Sequence, residues 1–235
     1  LRLGDGEDMS RPVFPSPQPK QVGDMSVLFV MATEQEYGPH LKARMVPVIT
    51  GVGPVEAAVG TSAALGELDR AGRLPSLVVS LGTAGSATLE HAGIYQVASV
   101  AYRDMDASLL GFEKGVTPFT GEPAVVPIPW RIPDLPAASI SSGGAVISGK
   151  GYDMIPAAMV DMETYSVYQA ARRFGVPMIG LRAISDGRAD LSGLHDWLEF
   201  LHILDEKLAL TLDAFEGHVE AGRFRLDPAT IPTNP

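Results

Sequence analysis

Acidic side chains stand at the ends of predicted elements at three places in this chain. Glu36 follows a short apolar run, Glu163 lies where a helix is expected to begin, and Asp186 follows a second apolar run. Ligands of open α/β sheets bind in the crevice outside the carboxyl ends of the strands, where carboxyl groups can donate and accept protons. One such acid alone is more often a helix cap or a surface charge. Three acids at element ends favour acid–base chemistry at one edge of a sheet.

The stretch from 160 to 187 combines a helix with a strand and carries two of these acids. Apolar residues recur between 167 and 174 with the spacing of one helix face. Gly175 is placed to end the helix, and Pro177 prevents its continuation. Residues 178–184 are aliphatic and β-branched, which predicts a buried strand. One acid therefore lies at the helix start and another just past the strand end.

The rest of the chain alternates strands and helices in a similar way. This alternation predicts an α/β fold, a single-domain three-layer α/β/α sandwich with a central mixed, twisted sheet, spanning 26–217. Residues 1–25 are expected to be a disordered or vector-derived leader, and 218–235 a loose tail. The proline-rich stretch 115–143 is predicted to contain no helix. Further strands are predicted at 26–32, 45–50, 77–81, 94–102 and 145–148, and further helices at 54–70 and about 196–217.

Composition narrows the classes of function. The 235 residues are 46% hydrophobic, which is enough for one substantial core. A net charge of −10 argues against nucleic acid and anionic membranes as main partners. Because the chain has no cysteine, thiol nucleophiles, disulfides and cysteine-bound zinc are excluded. The histidines lack metal-ligand spacing, so we expect no metal.

A glycine-rich turn follows the predicted strand 77–81. The turn, Gly82-Thr83-Ala84-Gly85, allows a ligand to approach the backbone closely. It matches neither the phosphate-binding GxxxxGK[ST] pattern nor the dinucleotide fingerprint GxGxxG. The serines lack the GxSxG context of a nucleophile elbow, which argues against a serine hydrolase.

The segment 160–186 has the most specific pattern in the chain. It reads VDMETYSVYQAARRFGVPMIGLRAISD and resembles the helix–strand signature of the nucleoside phosphorylase superfamily. Within that superfamily it is most similar to the branch of 5′-methylthioadenosine/S-adenosylhomocysteine nucleosidases. The resemblance extends over roughly 27–215. The matching motifs are Asp161-Met162-Glu163, Val176-Pro177, Arg182-Ala183-Ile184-Ser185-Asp186, residues 31–36, Gly82-Thr83-Ala84-Gly85, and Ser148-Gly149 before Tyr152.

The resemblance implies a role for each matched residue. Asp186 would donate a proton to the purine N7, and Glu36 would activate the attacking water. Glu163 would bind the ribose hydroxyls, and Met162 would pack on the sugar. Tyr152 would stack on the base. Further substrate-binding positions would be Thr83, Ala84, Gly85, Asp153, whose backbone would read the base edge, Asp161, Arg182 and Ser185.

The resemblance also implies a reaction and a set of partners. The substrate would be a small purine nucleoside, S-adenosylhomocysteine or 5′-methylthioadenosine, hydrolysed to adenine without a cofactor. We expect a cytoplasmic homodimer acting in methionine salvage, with Leu110 and Pro118 near the 5′ pocket and the dimer contact. The segments 116–147 and 153–160 are shorter than the family's and lack a helix. Thr83 stands where serine is commoner, and Asp161 where glutamate is commoner.

Three alternatives stay open from the sequence. The first is a phosphorylase, which is disfavoured because residues 33–36 read Thr-Glu-Gln-Glu where phosphorylases carry a glycine-and-arginine phosphate loop. The second is a hydrolase of another purine nucleoside, such as a futalosine-like compound. The third is a nucleoside-binding protein without turnover.

Overall fold

The computed structural model describes residues 16–187 and 201–227. In these residues no helix is long and apolar enough to cross a membrane. The helices are α1 (Pro39–Lys42), α2 (Pro54–Arg70), α3 (Thr164–Arg173) and α4 (Leu201–Glu220), with short 3₁₀ turns at Glu34–Glu36, Ser108–Leu110 and Gly149–Met154. The strands are β1 (Lys20–Val22), β2 (Met25–Met31), β3 (Val48–Ile49), β4 (Leu77–Gly85), β5 (Ile94–Tyr102), β6 (Val125–Pro127), β7 (Ala137–Ser142), β8 (Met159–Asp161) and β9 (Met178–Asp186).

The strands form one mixed sheet that curls on itself. β4 pairs in parallel with β2 and β9, and β9 pairs antiparallel with β5. β7 then joins β5 and β8 in parallel, and a single antiparallel pair between Gly85 and Val160 links β8 back to β4. These pairings complete a circuit through β4, β9, β5, β7 and β8. The ends of β2, β4, β8 and β9 are thereby brought to one side of the sheet.

Helices cover both faces of this sheet. α2 packs against α3, and α1 packs against α4, which also contacts β9. Eight consecutive residues of β9, 178–185, are buried. Because successive side chains in a strand point to opposite faces, this run requires cover on both sides. The predicted three-layer α/β/α sandwich is confirmed.

The predicted helix–strand unit corresponds to α3 and β9. Gly175 adopts a φ of 66°, a left-handed conformation that favours glycine at the end of a helix. The amide of Gly175 donates to the Arg172 carbonyl at 3.0 Å, and the amide of Val176 donates to Ala171 at 3.0 Å. This pair of bonds is a Schellman closure, which turns the chain toward β9.

Several predicted boundaries are wrong. Residues 145–148 form no strand: the side chains of 145–147 line a cavity, and the backbone of β7 takes the place in the sheet. Only Val48–Ile49 of the predicted strand 45–50 is paired. The predicted leader contains β1, which pairs with β2. The predicted tail begins inside α4 and includes Phe224, which is buried against Phe215. The start of the helix predicted at 196–217 lies outside the described residues.

Candidate active site

Glu36 is a buried carboxylate at the end of β2. Thr33 caps the 3₁₀ turn that follows the strand, accepting a bond from the Gln35 amide at its side chain. Glu36 is only 8% exposed, and its Oε1 accepts bonds from the Thr83 amide at 2.8 Å and the Thr83 hydroxyl at 2.7 Å. Burial raises the pKa of Glu36, an effect that the Thr83 bonds and the charge of Arg182 partly offset. The geometry fits a carboxylate with one oxygen held and one free to accept a proton.

Glu163 lies at the junction of β8 and α3. Its Oε1 accepts a hydrogen bond from the Gly53 amide at 2.8 Å, at the start of α2. Gly53 has a φ of 102°, a conformation available to glycine that aims this amide at the carboxylate. Burial, followed by the charge of Asp161, raises the pKa of Glu163 to about 7. Glu163 can therefore change charge near neutral pH.

Asp186 is the last residue of β9. Its Oδ1 accepts from the Ser185 hydroxyl at 2.7 Å, and its Oδ2 accepts from the Tyr152 phenol at 3.1 Å. Gly85 makes room for this pair, because a Cβ there would lie 2.2 Å from the Tyr152 hydroxyl oxygen and 2.6 Å from Asp186 Oδ2. The β4–β9 register shifts at Ala84 and Gly85, and such bulges re-aim side chains near ligand sites. Asp186 thus faces Gly85 at the end of β4, where the sequence predicted a turn after residue 81.

Asp161 and Arg182 form a buried ion pair behind these acids. Arg182 is 2% exposed, and its Nη2 lies 3.1 Å from Asp161 Oδ2. The remaining Asp161 oxygen accepts from the Ser142 hydroxyl at 2.6 Å, and Oδ2 also accepts from the Thr164 amide at 2.9 Å. Arg182 further donates to the Ser80 carbonyl at 3.0 Å. Protein donors contact both oxygens of Asp161, which therefore supports the site, and substrate binding by Asp161 stays a prediction.

Removal of this buried charge is expected to destabilise the fold. Asp161→Ala leaves Arg182 without its anionic partner, and breaking one member of a buried pair costs about 3–5 kcal/mol. Urea unfolding should show a lower midpoint with an unchanged slope. Asp213→Ala is the matched control, because it removes an exposed partner of Arg44 and should change the midpoint little. Equal midpoints for the two variants would contradict the assignment.

The three acids Glu36, Glu163 and Asp186 line one cavity of about 550 Å³. A second cavity of about 10 Å³, the size of one water molecule, adjoins it and is lined by Glu36, Glu163 and Arg182. The larger cavity has a mostly apolar wall with a few convergent polar groups, the usual character of a small-molecule site. Its other lining residues are Ala32, Thr33, Val52, Thr83, Ala84, Gly85, Arg103, Ala145, Val146, Ile147, Val160, Asp161, Met162 and Ser185.

Most residues predicted from the sequence meet at this cavity, but five do not line it. Tyr152 is buried with its phenol on Asp186, and Asp153 beside it is exposed. Arg182 lines only the smaller cavity. Leu110 is 76% exposed, and neither it nor Pro118 lines the cavity of its own chain.

Arg103 and the segment 145–147 were missed as parts of the site. The two terminal nitrogens of Arg103 donate to the carbonyls of Ser141, Asp161, Gly143 and Ala145. Arg103 thereby holds the ends of β7 and β8 beside the cavity. Arg103-Asp104 directly after a predicted strand was the available signal. Nothing in the sequence distinguishes the apolar run 145–147 from a strand.

Comparison with known proteins identifies the family of this chain. A family model described as the phosphorylase superfamily matches residues 142–215. A 5′-methylthioadenosine/S-adenosylhomocysteine nucleosidase from Glaesserella parasuis is 31% identical over 178 residues, 67% of this chain and 74% of the relative. The chain belongs to the 5′-methylthioadenosine/S-adenosylhomocysteine nucleosidase family. The family predicted from the sequence is thereby confirmed.

Solved structures share the nucleosidase-family fold. A mutant of the Helicobacter pylori 5′-methylthioadenosine/S-adenosylhomocysteine nucleosidase (MTAN), with 5′-methylthioadenosine in its active site, has a TM-score of 0.69 at 19% identity. The match covers 83% of this chain and 99% of that chain. A futalosine hydrolase mutant from the same species has a TM-score of 0.68 at 19% identity, covering 82% and 98%. At these identities the likeness shows the fold alone, and the choice of substrate depends on the site.

Proposed function

We propose that this protein hydrolyses the N-glycosidic bond of 5′-methylthioadenosine, S-adenosylhomocysteine or both, releasing adenine. Three carboxyl groups, Glu36, Glu163 and Asp186, line one cavity, and a water-sized cavity adjoins two of them. This convergence carries the proposal. Breaking an N-glycosidic bond builds positive charge on the sugar, and carboxylates beside the sugar stabilise that charge.

The test is to incubate each nucleoside with the protein in phosphate-free buffer and to quantify free adenine. Release from either nucleoside supports the proposal. Cleavage of another nucleoside alone would contradict the substrate assignment. Ligand-induced stabilisation without adenine release would favour a binding protein.

Asp186 and Glu36 divide the proton transfers between them. Asp186 donates a proton to the purine N7, so that adenine leaves as a neutral molecule. Glu36 accepts a proton from the water that attacks the anomeric carbon. The Thr83 bonds fix the Glu36 carboxylate before substrate binds. Little conformational entropy is therefore lost when the transition state forms. Glu163 accepts hydrogen bonds from the ribose hydroxyls, and Met162 packs against the sugar.

Water is favoured over phosphate as the nucleophile. A phosphate dianion about 4 Å from a carboxylate such as Glu36 or Glu163 would be repelled by several kcal/mol at intermediate dielectric. In the part of the chain that the structure describes, the arginines lining the two cavities are Arg103 and Arg182, and both donate to protein acceptors. Neither is positioned as a dedicated phosphate ligand.

Tyr152→Phe is expected to lower KM. The Tyr152 phenol donates to Asp186 Oδ2, and we expect the purine N7 to displace this bond when it approaches that oxygen for the proton. Since a hydrogen bond contributes about 0.5–1.5 kcal/mol net, its removal should lower KM about two- to tenfold with little change in kcat. Steady-state kinetics measures this, with Tyr168→Phe as control because the Tyr168 phenol donates to Glu122. A raised KM would show that the phenol helps to bind substrate.

We also propose a homodimer. Leu109 and Phe119 are almost fully exposed, and Leu110 is 76% exposed, although large apolar side chains are usually covered in a working assembly. Phe119 lies in the shortened segment 116–147 and Leu109 and Leu110 precede it, in the neighbourhood expected near the 5′ pocket, and we propose a second copy of the chain as the occupant. Sedimentation velocity at the concentration of the activity assay tests this proposal. A monomer that is fully active at that concentration would contradict it. The cytoplasmic location and the role in methionine salvage stay predictions, which cell fractionation and growth on methylthioadenosine would test.

A further inference from the structure

The short helix α1 lies directly after the turn that carries Glu36. It has only four residues, Pro39–Lys42, and Gly38 at its start offers no side chain to cap it. A helix this short is not stable alone, and its first amides need acceptors. The backbone bonds within the Glu36 turn are local, from the Glu36 amide to Thr33 and from the Tyr37 amide to Glu34. The Thr83 bonds hold the Glu36 carboxylate, and the backbone of its turn depends on what holds α1.

Asp205 of α4 supplies the missing cap from a distant part of the sequence. Its Oδ2 accepts from the His40 amide at 2.9 Å, and its Oδ1 accepts from the Leu41 amide at 3.0 Å. Asp205 is 2% exposed and Leu41 is fully buried, so the bond to Leu41 is shielded from water, while the bond to His40 is partly buried. Bonds from backbone amides to a carboxylate are among the stronger hydrogen bonds in proteins.

Gly38 allows Asp205 to come this close. A Cβ at residue 38 would lie 2.5 Å from the Asp205 Cγ and 2.5 Å from its Oδ2. The Gly38 φ of −83° is open to any residue, so space rather than backbone conformation favours glycine here. The sequence from Glu36 to Leu41 is thus shaped to receive the Asp205 carboxylate.

We propose that Asp205 is a positioning residue for Glu36, an inference that rests on the proposed hydrolytic function. Asp205 does not line the cavity and does not touch substrate. It joins α4 to the helix that follows Glu36 by two hydrogen bonds, one buried and one partly buried. Loss of these bonds frees α1 and the turn before it, so that Glu36 no longer meets the attacking water in a fixed geometry.

Asp205→Ala is expected to lower kcat about 10- to 100-fold, since a misplacement of about 1 Å can cost about 10² in rate. KM should stay within about twofold, because the substrate contacts are intact. Asp205→Asn keeps one carbonyl acceptor and should fall between Asp205→Ala and wild type. Rates are normalised to the folded fraction from urea unfolding, and the assay is run where each variant is folded.

Asp213→Asn is the matched control for general loosening. Asp213 also lies on α4 and ties it to the same segment through Arg44, with both bonds at 2.7 Å, but its side chain is 49% exposed. Its kcat should stay within about twofold of wild type. Equal losses in Asp213→Asn and Asp205→Ala would overturn the proposal.

A double-mutant cycle with Glu36→Gln separates positioning from a structural role. If Asp205 acts through Glu36, Asp205→Ala should not lower the residual kcat of Glu36→Gln further. An equal fold loss in both backgrounds would overturn the inference. Active wild type with an unimpaired Asp205→Ala would overturn this inference alone, whereas a wild type that releases no adenine would overturn the proposed function and this role together.

Discussion

Asp186→Asn is expected to lower kcat for adenine release by about 10² to 10⁴, the usual contribution of a positioned general acid. The amide keeps the size of the carboxyl group, and its one carbonyl oxygen can still accept from either the Ser185 or the Tyr152 hydroxyl. It cannot give up a proton to N7, so adenine would have to leave as an anion. KM should change only a few-fold, because the cavity keeps its shape.

The leaving group provides the decisive comparison for Asp186. A riboside whose leaving group needs no proton, such as p-nitrophenolate, should be cleaved by Asp186→Asn at nearly the wild-type rate. Asp69→Asn removes an exposed carboxylate on α2 and serves as the control for a simple change of net charge. An equal loss on both substrates would contradict the role of Asp186 as the acid.

Glu36→Gln is expected to produce a loss of similar size, about 10² to 10⁴ in kcat, because glutamine cannot accept the proton of the attacking water. The Thr83 amide and hydroxyl can still donate to the glutamine carbonyl, so the fold and KM should be little affected. Glu34→Gln is the matched control, because Glu34 belongs to the same turn and is exposed. Full activity in Glu36→Gln would rule out Glu36 as the base.

The pH dependence of kcat offers an independent readout for Glu36. Only the ionised form accepts a proton, so kcat should rise with pH through the pKa of Glu36. Because burial raises this pKa, the acid limb should lie above the ordinary glutamate range. Glu163 also changes charge in this pH range, so kcat is measured at saturating substrate, where weaker ribose binding by Glu163 does not limit the rate. The residual activity of Glu36→Gln should lack this limb.

The parts of the fold that local sequence determines could be predicted. α3 and β9 follow from apolar spacing, the closing Gly175 and the barrier at Pro177, all within about thirty residues. The acids after β2 and β9 could be placed in one crevice, because the strands could be predicted and their carboxyl ends meet at one edge of the sheet. The ion pair of Arg182 with Asp161 could not, because each residue matched the family motif without indicating that one neutralises the other.

Contacts between distant segments account for what the sequence did not reveal. Asp205 and Leu41 are 164 residues apart, and no local pattern marks an aspartate that caps another helix. The apolar run 145–147 has the composition of a strand, but its side chains line the cavity and β7 takes the place in the sheet. Such choices depend on which partner surface the folded chain offers, which periodicity does not encode.

The central claim is that a carboxylate-activated water, not phosphate, cleaves the glycosidic bond. The most direct measurement is the rate of adenine release from 5′-methylthioadenosine over a phosphate titration starting at zero, with the sugar product identified by mass. We predict an undiminished rate without phosphate and free methylthioribose as the sugar product. A rate that requires phosphate, with methylthioribose 1-phosphate as the product, would contradict the claim.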